Sequence, residues 1–328
     1  MTKKVFKRRK TTLVIEPGRL LRNCGLTRNL LKHNGVVVTG LRIKSAMTVS
    51  FYMLLFLPLC IHAQVSSDWE KDTEILNKFC SSVPKASMDH LMLQSALFFL
   101  DYPYVAATLE GEEEETLIVD LRNFDCTTLV ENCLALSRCL QYPAPDMEYF
   151  ERMLRLIRYR NGLIEGYPSR LHYFSDWIYD NSKKGIVEDI THALGGRRIQ
   201  LNVDFMSENY TKYPALQADS SLVKTIRDQE KQINARNYFY IPKSEIPLHK
   251  SEIKNGDIIC FTTSIPGLDI SHVGIAYHFR NQLTFIHASS TAGKVIVNPE
   301  SLEDYCQKIK TNTGIMVLRP LQYAVSEN

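Results

Sequence analysis

The sequence predicts an α+β fold in which helices precede an antiparallel sheet. Two observations carry this prediction. Apolar residues recur at helical spacing in the segments between residues 68 and 236, whereas from Asp257 onward they alternate with a period of two. Helices followed by a run of strands are typical of the α+β class. With 328 residues, 45% of them hydrophobic, the chain is long enough to bury a substantial core.

A leader is predicted ahead of the fold. The segment 47–63 carries no charge, follows Arg42 and Lys44, and centres on the apolar run 51–61. This pattern predicts a secretory signal peptide cleaved near Ala63, because the apolar run is short for a membrane span. A membrane anchor formed by the run and a lipid anchor on Cys60 are the alternatives. We therefore expect a basic upstream extension (1–46), a signal peptide (47–63) and a single catalytic domain (64–328) with an insertion at about 141–250.

The distribution of charge argues against a nucleic-acid-binding protein. Residues 1–46 hold 12 of the 39 Lys and Arg but one of the 36 acidic residues, so the remainder of the chain is acidic. Six cysteines follow Ala63. Export to an oxidising compartment would permit disulfides between them without requiring any.

The helical segments come first along the chain. We predict helices at 68–80, 87–100, 126–140, 146–160 and 220–236. The apolar segment 117–121 is predicted to be a strand, and the acidic run 110–115 a solvated loop. The predicted strands are 238–241, 257–261, 272–279, 283–289, 294–298 and 314–318, with a helix at 299–309 between the last two.

Cys126 is the candidate nucleophile. Asp125 before it is a good N-cap residue, and Leu129 and Cys133 continue one apolar helical face. A cysteine on the first helical turn lies at the positive end of the helix dipole, which favours a thiolate. Alone, such a cysteine is more often a small buried apolar residue.

Two histidines, His272 and His287, lie on neighbouring predicted strands. If a turn at 280–281 joins the strands with an even number of residues, both side chains fall on one face as diagonal neighbours. An odd loop without a bulge would put them on opposite faces. Gly274 and Ala276 share the face of His272, and we expect these small residues to let the Cys126 helix approach closely.

Together these residues can perform acyl transfer. Cys126 would attack an amide carbonyl, His272 would act as the base, and His287 would orient the base. The backbone N–H of Cys126 is a natural oxyanion donor. Such chemistry needs no metal and no cofactor. A zinc amidase is the other hydrolytic option, using His172, His192, His249, His272 or His287, but no His-Glu-x-x-His pattern is present.

The ordered motifs of the chain resemble those of NlpC-type papain-like cell-wall peptidases. The residues that carry the resemblance are Pro103-Tyr104, Phe124-Asp125-Cys126, Asn255-Gly256-Asp257, His272-Val273-Gly274-Ile275 and Ile286-His287-Ala288. The resemblance implies a papain-like fold, with the nucleophile helix packed on an antiparallel sheet, and a catalytic triad of Cys126, His272 and His287. It also implies that Tyr104 lies beside the nucleophile.

Departures from the general pattern identify a branch of that family. Thr127-Thr128 follows the cysteine where Ser-Gly is usual, Ala106-Ala107 replaces two glycines, and a long insertion precedes His272. This variant is similar to N-acetylmuramoyl-L-alanine amidases that favour 1,6-anhydro muropeptides in murein recycling. The resemblance implies a muropeptide substrate and an exported protein of a Gram-negative periplasm, without stable membrane insertion after signal cleavage.

The segment 170–177 is the candidate substrate-binding region. Arg170, His172, Tyr173 and Asp176 supply donors and acceptors for a sugar or a peptide carboxylate. The alternative is a helix start capped by Ser175, with Trp177 in the core. If the binding role holds, alanine at Arg170 should raise KM or lower kcat on muropeptides and leave folding intact.

Three other functions remain open at this point. The same triad could cleave the stem peptide after γ-D-glutamate. The protein could instead bind wall fragments with an idle site, or transfer an acyl group as a papain-like acyltransferase. The intact set of Cys126, His272 and His287 argues against the idle site.

Overall fold

The computed structural model describes residues 68–110 and 114–322. The predicted extension and signal peptide lie outside these residues, as does part of the acidic run. The α-helices of the described chain are α1 (Trp69–Ser82), α2 (Met88–Phe98), α3 (Cys126–Gln141), α4 (Met147–Arg158), α5 (Phe174–Lys183), α6 (Phe205–Glu208), α7 (Pro214–Ala218), α8 (Ser220–Asn234) and α9 (Leu302–Lys308). Short 3-10 turns occur at Arg160–Gly162, Tyr167–Ser169, Tyr210–Lys212 and Ile246–His249.

The strands form one antiparallel sheet, and the α+β prediction is confirmed. They are β1 (Val187–Asp189), β2 (Arg197–Ile199), β3 (Tyr238–Pro242), β4 (Ile258–Thr263), β5 (Ile270–Phe279), β6 (Gln282–Ser289), β7 (Lys294–Val297) and β8 (Asn312–Pro320). Their order in the sheet is β2-β3-β8-β4-β5-β6-β7, and β1 also pairs with β8. The region 141–250 therefore contributes strands to one side of the sheet, as well as helices.

The central strands are buried on both faces. In β4, Ile258 and Cys260 pack into the core that contains α2 and α3, whereas Ile259 and Phe261 pack on the other face with residues of α9. Alternate side chains of a strand point to opposite faces, so a strand covered on both sides has a continuous apolar sequence. This explains why the segment 258–261 shows no polar alternation.

Helix α3 is buried from Thr128 to Leu140. The sequence predicts one apolar face, and this face is correct, but the opposite face carries polar side chains that are also buried. Glu131 pairs with Arg158 at 2.7 Å and accepts a hydrogen bond from Trp177 at 3.2 Å, and Asn132 donates to the Thr128 carbonyl at 2.8 Å. Buried polar groups are tolerated when they are paired in this way.

One local prediction is wrong, and a second holds only in part. The segment 117–121 is not a strand, because side chains from elsewhere satisfy its backbone: Arg158 donates to the Ile118 carbonyl, and the Leu121 N–H donates to Asp72. In the acidic run, Glu114 is exposed as predicted, but Glu110 and Glu115 are partly buried and form ion pairs with Arg170. Within the described ranges, no helix is both long and apolar enough to cross a membrane.

Candidate active site

Cys126 is the first residue of α3, as predicted. A reciprocal capping box fixes this helix start: the Thr128 N–H donates to Asp125 Oδ1 at 2.8 Å, and the Asp125 N–H donates to Thr128 Oγ1 at 2.9 Å. A box of this kind satisfies backbone donors that a helix start otherwise leaves unpaired. The second threonine after the cysteine, which departs from the usual family pattern, is thus the residue that closes the box.

The Pro103-Tyr104 segment holds the chain just before the helix. The Phe124 N–H donates to the Pro103 carbonyl and the Val105 N–H to the Phe124 carbonyl, both at 3.0 Å, while the Tyr104 N–H donates to Gly293 at 2.9 Å. Tyr104 is half-buried, and burial together with the charges of Cys126 and Asp125 raises the pKa of its phenol. Tyr104 therefore lies beside the candidate nucleophile.

The register of the hairpin formed by β5 and β6 is the predicted one. Phe279 pairs with Gln282 across a two-residue turn in which Arg280 and Asn281 have φ angles of 50° and 64°. Positive φ at both central residues is the geometry of a type I′ turn, whose twist matches that of the strands. The two histidines consequently share a face, and Nε2 of His272 lies 2.7 Å from Nδ1 of His287.

The role expected for the small residues beside His272 is wrong. Helix α3 packs with Val273 and Ile275, on the face opposite to His272. A Cβ added to Gly274 would lie 2.7 Å from the Phe285 ring and 3.3 Å from Cβ of His287. Gly274 is therefore needed for the close packing of β6 side chains against β5, and not for the approach of the helix.

A backbone group of β5 connects Cys126 to the histidine strand. The Ala276 N–H donates to the Asp257 carbonyl, and the Ala276 carbonyl accepts from the Gly256 N–H. Both groups of Ala276 therefore point toward the β4 side of the strand. Since successive residues of a strand alternate in direction, the Val273 N–H points to the other side, where the pairing with β6 ends at Ile275. This N–H lies close enough to the sulfur of Cys126, one residue away from His272, to lower the pKa of its thiol.

Burial favours the neutral forms of the Cys126 thiol and of both imidazoles. Burial and the adjacent Asp125 raise the pKa of Cys126 to about 11, although hydrogen bonds from Val273 and Thr127 act against this rise. Burial also lowers the pKa of His272 to about 4, and burial with the neighbouring His272 lowers that of His287 to about 3. The expected stabilisation of a thiolate by the helix dipole is therefore outweighed by desolvation.

Aromatic side chains surround the histidine pair. The ring centroid of His272 lies 5.9 Å from that of Phe261, 6.4 Å from Phe285 and 6.2 Å from Tyr305. Tyr305, on α9, is also 5.9 Å from His287, and its pKa is raised to about 12 by burial and by the charge of Cys126. Sequence reasoning missed Tyr305, since its position in a short amphipathic helix carries no catalytic signal.

The predicted substrate-binding residues have partners inside the protein. Arg170 pairs with Glu110 at 3.0 Å and with Glu115 at 3.2 Å, and His172 bonds to the Tyr167 carbonyl at 2.9 Å. Burial and the nearby Arg170 hold the pKa of His172 well below its usual range.

The other two of these residues are buried in the same way. Tyr173 donates to Glu230 at 2.7 Å, and Asp176 accepts from Arg160 at 2.5 Å and from Arg236 at 2.6 Å. Helix α5 begins at Phe174, so Ser175 lies inside it and is not its cap, while Trp177 is fully buried as the alternative expected. Among the described residues, the contacts that the structure shows for this segment do not involve Cys126. The role of these residues in substrate binding stays a prediction, whereas the structure shows that they hold the fold together through ion pairs and hydrogen bonds.

The remaining candidates for a zinc site are dispersed. His192 packs on Phe239, and His249 bonds to Glu252. In the part of the chain that the structure describes, no three His, Cys, Asp or Glu side chains are placed to hold a metal ion. His272 and His287 are the two of these histidines that the structure brings together.

Comparison with known proteins identifies the family of the chain. Residues 94–315 match the family described as AmiA-like, N-acetylmuramoyl-L-alanine amidase-like. A crystal structure of an N-acetylmuramoyl-L-alanine amidase from Bacteroides uniformis is 37% identical over 72% of this chain and 100% of its own, with a TM-score of 0.69. No match was found among curated proteins.

Two further solved structures are similar. One, of a putative xylanase from Bacteroides fragilis, is 41% identical over 69% of this chain and 99% of its own, with a TM-score of 0.65. The other, of a Legionella pneumophila protein described by the DUF1460 family model, is 25% identical over 77% of this chain and 96% of its own, with a TM-score of 0.60. The family match spans well over half of the sequence, and the chain belongs to the AmiA-like family of N-acetylmuramoyl-L-alanine amidase-like proteins.

Proposed function

We propose that this protein is a cysteine amidase that hydrolyses the bond between N-acetylmuramic acid and L-alanine in muropeptides. Family membership supports a peptidoglycan amidase in general. The observation that carries the cysteine mechanism is the 2.7 Å hydrogen bond between His272 and His287, on a strand whose Val273 N–H meets the sulfur of Cys126. These contacts support a site in which Cys126 is the nucleophile, His272 the base and His287 the orienting group.

The proposed reaction begins from the neutral pair. As the sulfur of Cys126 attacks the lactyl carbonyl carbon, its proton passes to His272, and His287 accepts a hydrogen bond from the imidazolium that forms. The C–N bond then breaks, and the amino group of L-alanine leaves with the proton from His272. Water activated by His272 hydrolyses the thioester and restores the thiol. The Cys126 N–H, at the start of α3, is positioned to stabilise the oxyanion.

The finer assignments are part of the same proposal. The order of the helix with Cys126 and the strands with His272 and His287 supports an NlpC-type papain-like fold. The motifs around Tyr104 and Cys126 support a preference for 1,6-anhydro muropeptides and a role in murein recycling. The uncharged segment 47–63 supports export to the periplasm through a cleaved signal peptide, followed by a single catalytic domain.

Incubation of the purified protein with defined anhydro and reducing muropeptides tests the proposal. Mass spectrometry should detect a free stem peptide that retains L-alanine at its N-terminus, released faster from the anhydro form. A product that begins after D-glutamate would support the endopeptidase, and binding without any product would support a wall-fragment binding protein. Acyl transfer to an added amine in preference to water would support the acyltransferase.

Substitution of the nucleophile tests the chemistry. Cys126→Ala should abolish cleavage, whereas Cys133→Ala, in the same helix and buried in the core, should retain it. Treatment with a chelator should leave the rate unchanged. Cleavage that survives Cys126→Ala would refute the cysteine mechanism.

A further inference from the structure

Asn298 stands on the far side of His287 from His272. The pairing of β6 with β7 runs through Ile286 with Val297 and His287 with Ile296, and the Asn298 N–H continues it by donating to the Phe285 carbonyl at 2.8 Å. Phe285 and His287 are two residues apart on one face of β6, so Asn298 is a diagonal neighbour of His287 on that same face. His287 thus has a polar diagonal neighbour on each adjoining strand.

The carboxamide of Asn298 is held in one orientation. Its Nδ2 donates to the Glu300 carbonyl at 2.9 Å, so Oδ1 is the atom of this amide that can accept a hydrogen bond from His287. The Thr284 hydroxyl lies 2.7 Å from the Asn298 carbonyl and 2.8 Å from the Glu300 carbonyl, so the turn that carries the amide is also fixed. Asn298 is only 6% exposed, and water has little access to compete for Oδ1.

The proposed mechanism determines where the protons of the two imidazoles lie. If Nδ1 of His272 receives the thiol proton, then Nε2 of His272 carries a hydrogen and donates it to Nδ1 of His287. The proton of neutral His287 must then be on Nε2. That atom is buried, and among the residues that the structure describes no hydrogen bond of ordinary length reaches it. The side chain of Asn298 nevertheless lies close enough to favour the charged form of the ring.

We propose that Asn298 is a positioning residue of the amidase: its Oδ1 accepts a hydrogen bond from the Nε2–H of His287, and this bond is long in the resting protein and shortens when positive charge develops on the histidine pair. This inference rests on the proposed roles of Cys126, His272 and His287. In resting enzymes such hydrogen bonds are often long and close only as charge develops. The bond holds His287 in the tautomer that can accept from His272, and it disperses the charge of the imidazolium over a third group.

Two substitutions separate this role from a purely structural one. Asn298→Ala removes both the acceptor and the bond to Glu300, and should lower kcat about tenfold with little change in KM. Asn298→Asp removes the Nδ2 donor but keeps an acceptor, now charged. This variant should have a kcat close to that of the wild type. The acidic limb of its plot of kcat against pH should move to higher pH, because a carboxylate stabilises the protonated histidine pair.

Thr284→Val is the matched control, since it loosens the same turn without removing the acceptor. It should lower stability and leave the acidic limb of the pH profile where it is. The other titratable groups around the histidine pair are Cys126 on α3, Tyr305 on α9 and Glu300 after β7, and all three variants keep them. If Asn298→Asp behaves like Asn298→Ala and the acidic limb does not move, the positioning role is refuted.

A readout without turnover keeps this inference separate from the proposed function. In ¹⁵N-histidine-labelled Cys126→Ala protein, NMR should show the Nε2–H tautomer for His287, and Asn298→Ala in that background should make the tautomer mixed. An Nδ1–H tautomer for His287 in the parent protein would overturn the role of Asn298. Cleavage that persists in the Cys126→Ala protein would instead overturn the amidase mechanism, whatever the tautomer.

Discussion

Nε2 of His272 lies 2.7 Å from Nδ1 of His287, across two strands joined by a two-residue turn. The bond depends on that turn, because a shift of one residue in the register would move His287 to the opposite face of the sheet. Gly274 is the second requirement, since a larger side chain there would meet Phe285 and His287. The chemistry of the site is thus linked to the twist and pairing of one hairpin.

The turn itself can be tested with proline. Arg280 has a φ angle of 50°, whereas proline fixes φ near −65°, so Arg280→Pro is incompatible with the type I′ turn. We expect a loss of about 2–3 kcal/mol in the free energy of unfolding and a fall in kcat as the histidines separate. Urea unfolding and steady-state kinetics measure the two effects. Asn281→Gly, which suits positive φ, should retain both stability and activity, and a fully active Arg280→Pro variant would contradict the dependence on register.

The protonation state of Cys126 can be tested by alkylation. Because burial raises the pKa of its thiol to about 11, the rate of reaction with iodoacetamide should rise roughly tenfold per pH unit between pH 7 and pH 10. The rate in the Cys126→Ala protein gives the background from other cysteines. A rate that is already constant above about pH 6 would indicate a resting thiolate–imidazolium pair instead of neutral groups.

Local signals allowed the positions of the candidate catalytic residues to be predicted from the sequence. An N-cap residue and helical spacing located Cys126 at the start of α3, and the alternation of strand residues with a two-residue turn located both histidines on one face. These features depend on neighbours only a few residues apart in the chain, or on one hairpin. The faces of short, regular elements follow directly from their periodicity.

Contacts between distant segments could not be predicted in this way. Arg170 resembled a ligand-binding residue because its partners, Glu110 and Glu115, are more than fifty residues away in the chain. Tyr305 and Asn298 reach the histidines only because α9 and the end of β7 pack against β6. Periodicity assigns a residue to a face, but it does not say which distant element covers that face.

The ion pairs of Arg170 change the expected result of its removal. Arg170→Ala would leave Glu115 buried without its counter-charge, and burial already raises the pKa of this carboxyl group. We therefore expect a loss of about 3 kcal/mol in stability, contrary to intact folding. Thermal unfolding and KM for muropeptides should be measured together, with Arg170→Ala/Glu115→Gln as the control that removes the unpaired charge. A raised KM with unchanged stability would restore a direct role in substrate binding.

The pair formed by Glu131 and Arg158 gives a prediction about the core around α3. Both side chains are 2% exposed, and Glu131 also accepts from Trp177. Arg158→Met should therefore cost about 3–5 kcal/mol, since it leaves a buried carboxylate without its partner. Adding Glu131→Gln, which keeps an acceptor for Trp177, should recover part of this loss in urea unfolding. Equal stability of the single and double variants would show that the charge of Glu131 is compensated elsewhere.

The two histidines should also make the protein sensitive to acid. Their pKa values in the folded state, about 4 for His272 and about 3 for His287, lie below the ordinary value of 6.5 that applies to the unfolded chain. Between pH 6.5 and pH 4 the unfolded state therefore binds protons that the folded state does not, so the free energy of unfolding falls as the pH falls. Each histidine contributes at most about 1.4 kcal/mol per pH unit in this range, and the contribution of His272 levels off below about pH 4.

Urea unfolding at pH 7.5 and pH 5 should show this loss of stability in the wild type and a smaller loss in His272→Gln and His287→Gln. An equal loss in all three proteins would mean that other groups, such as buried carboxylates, govern the response to acid.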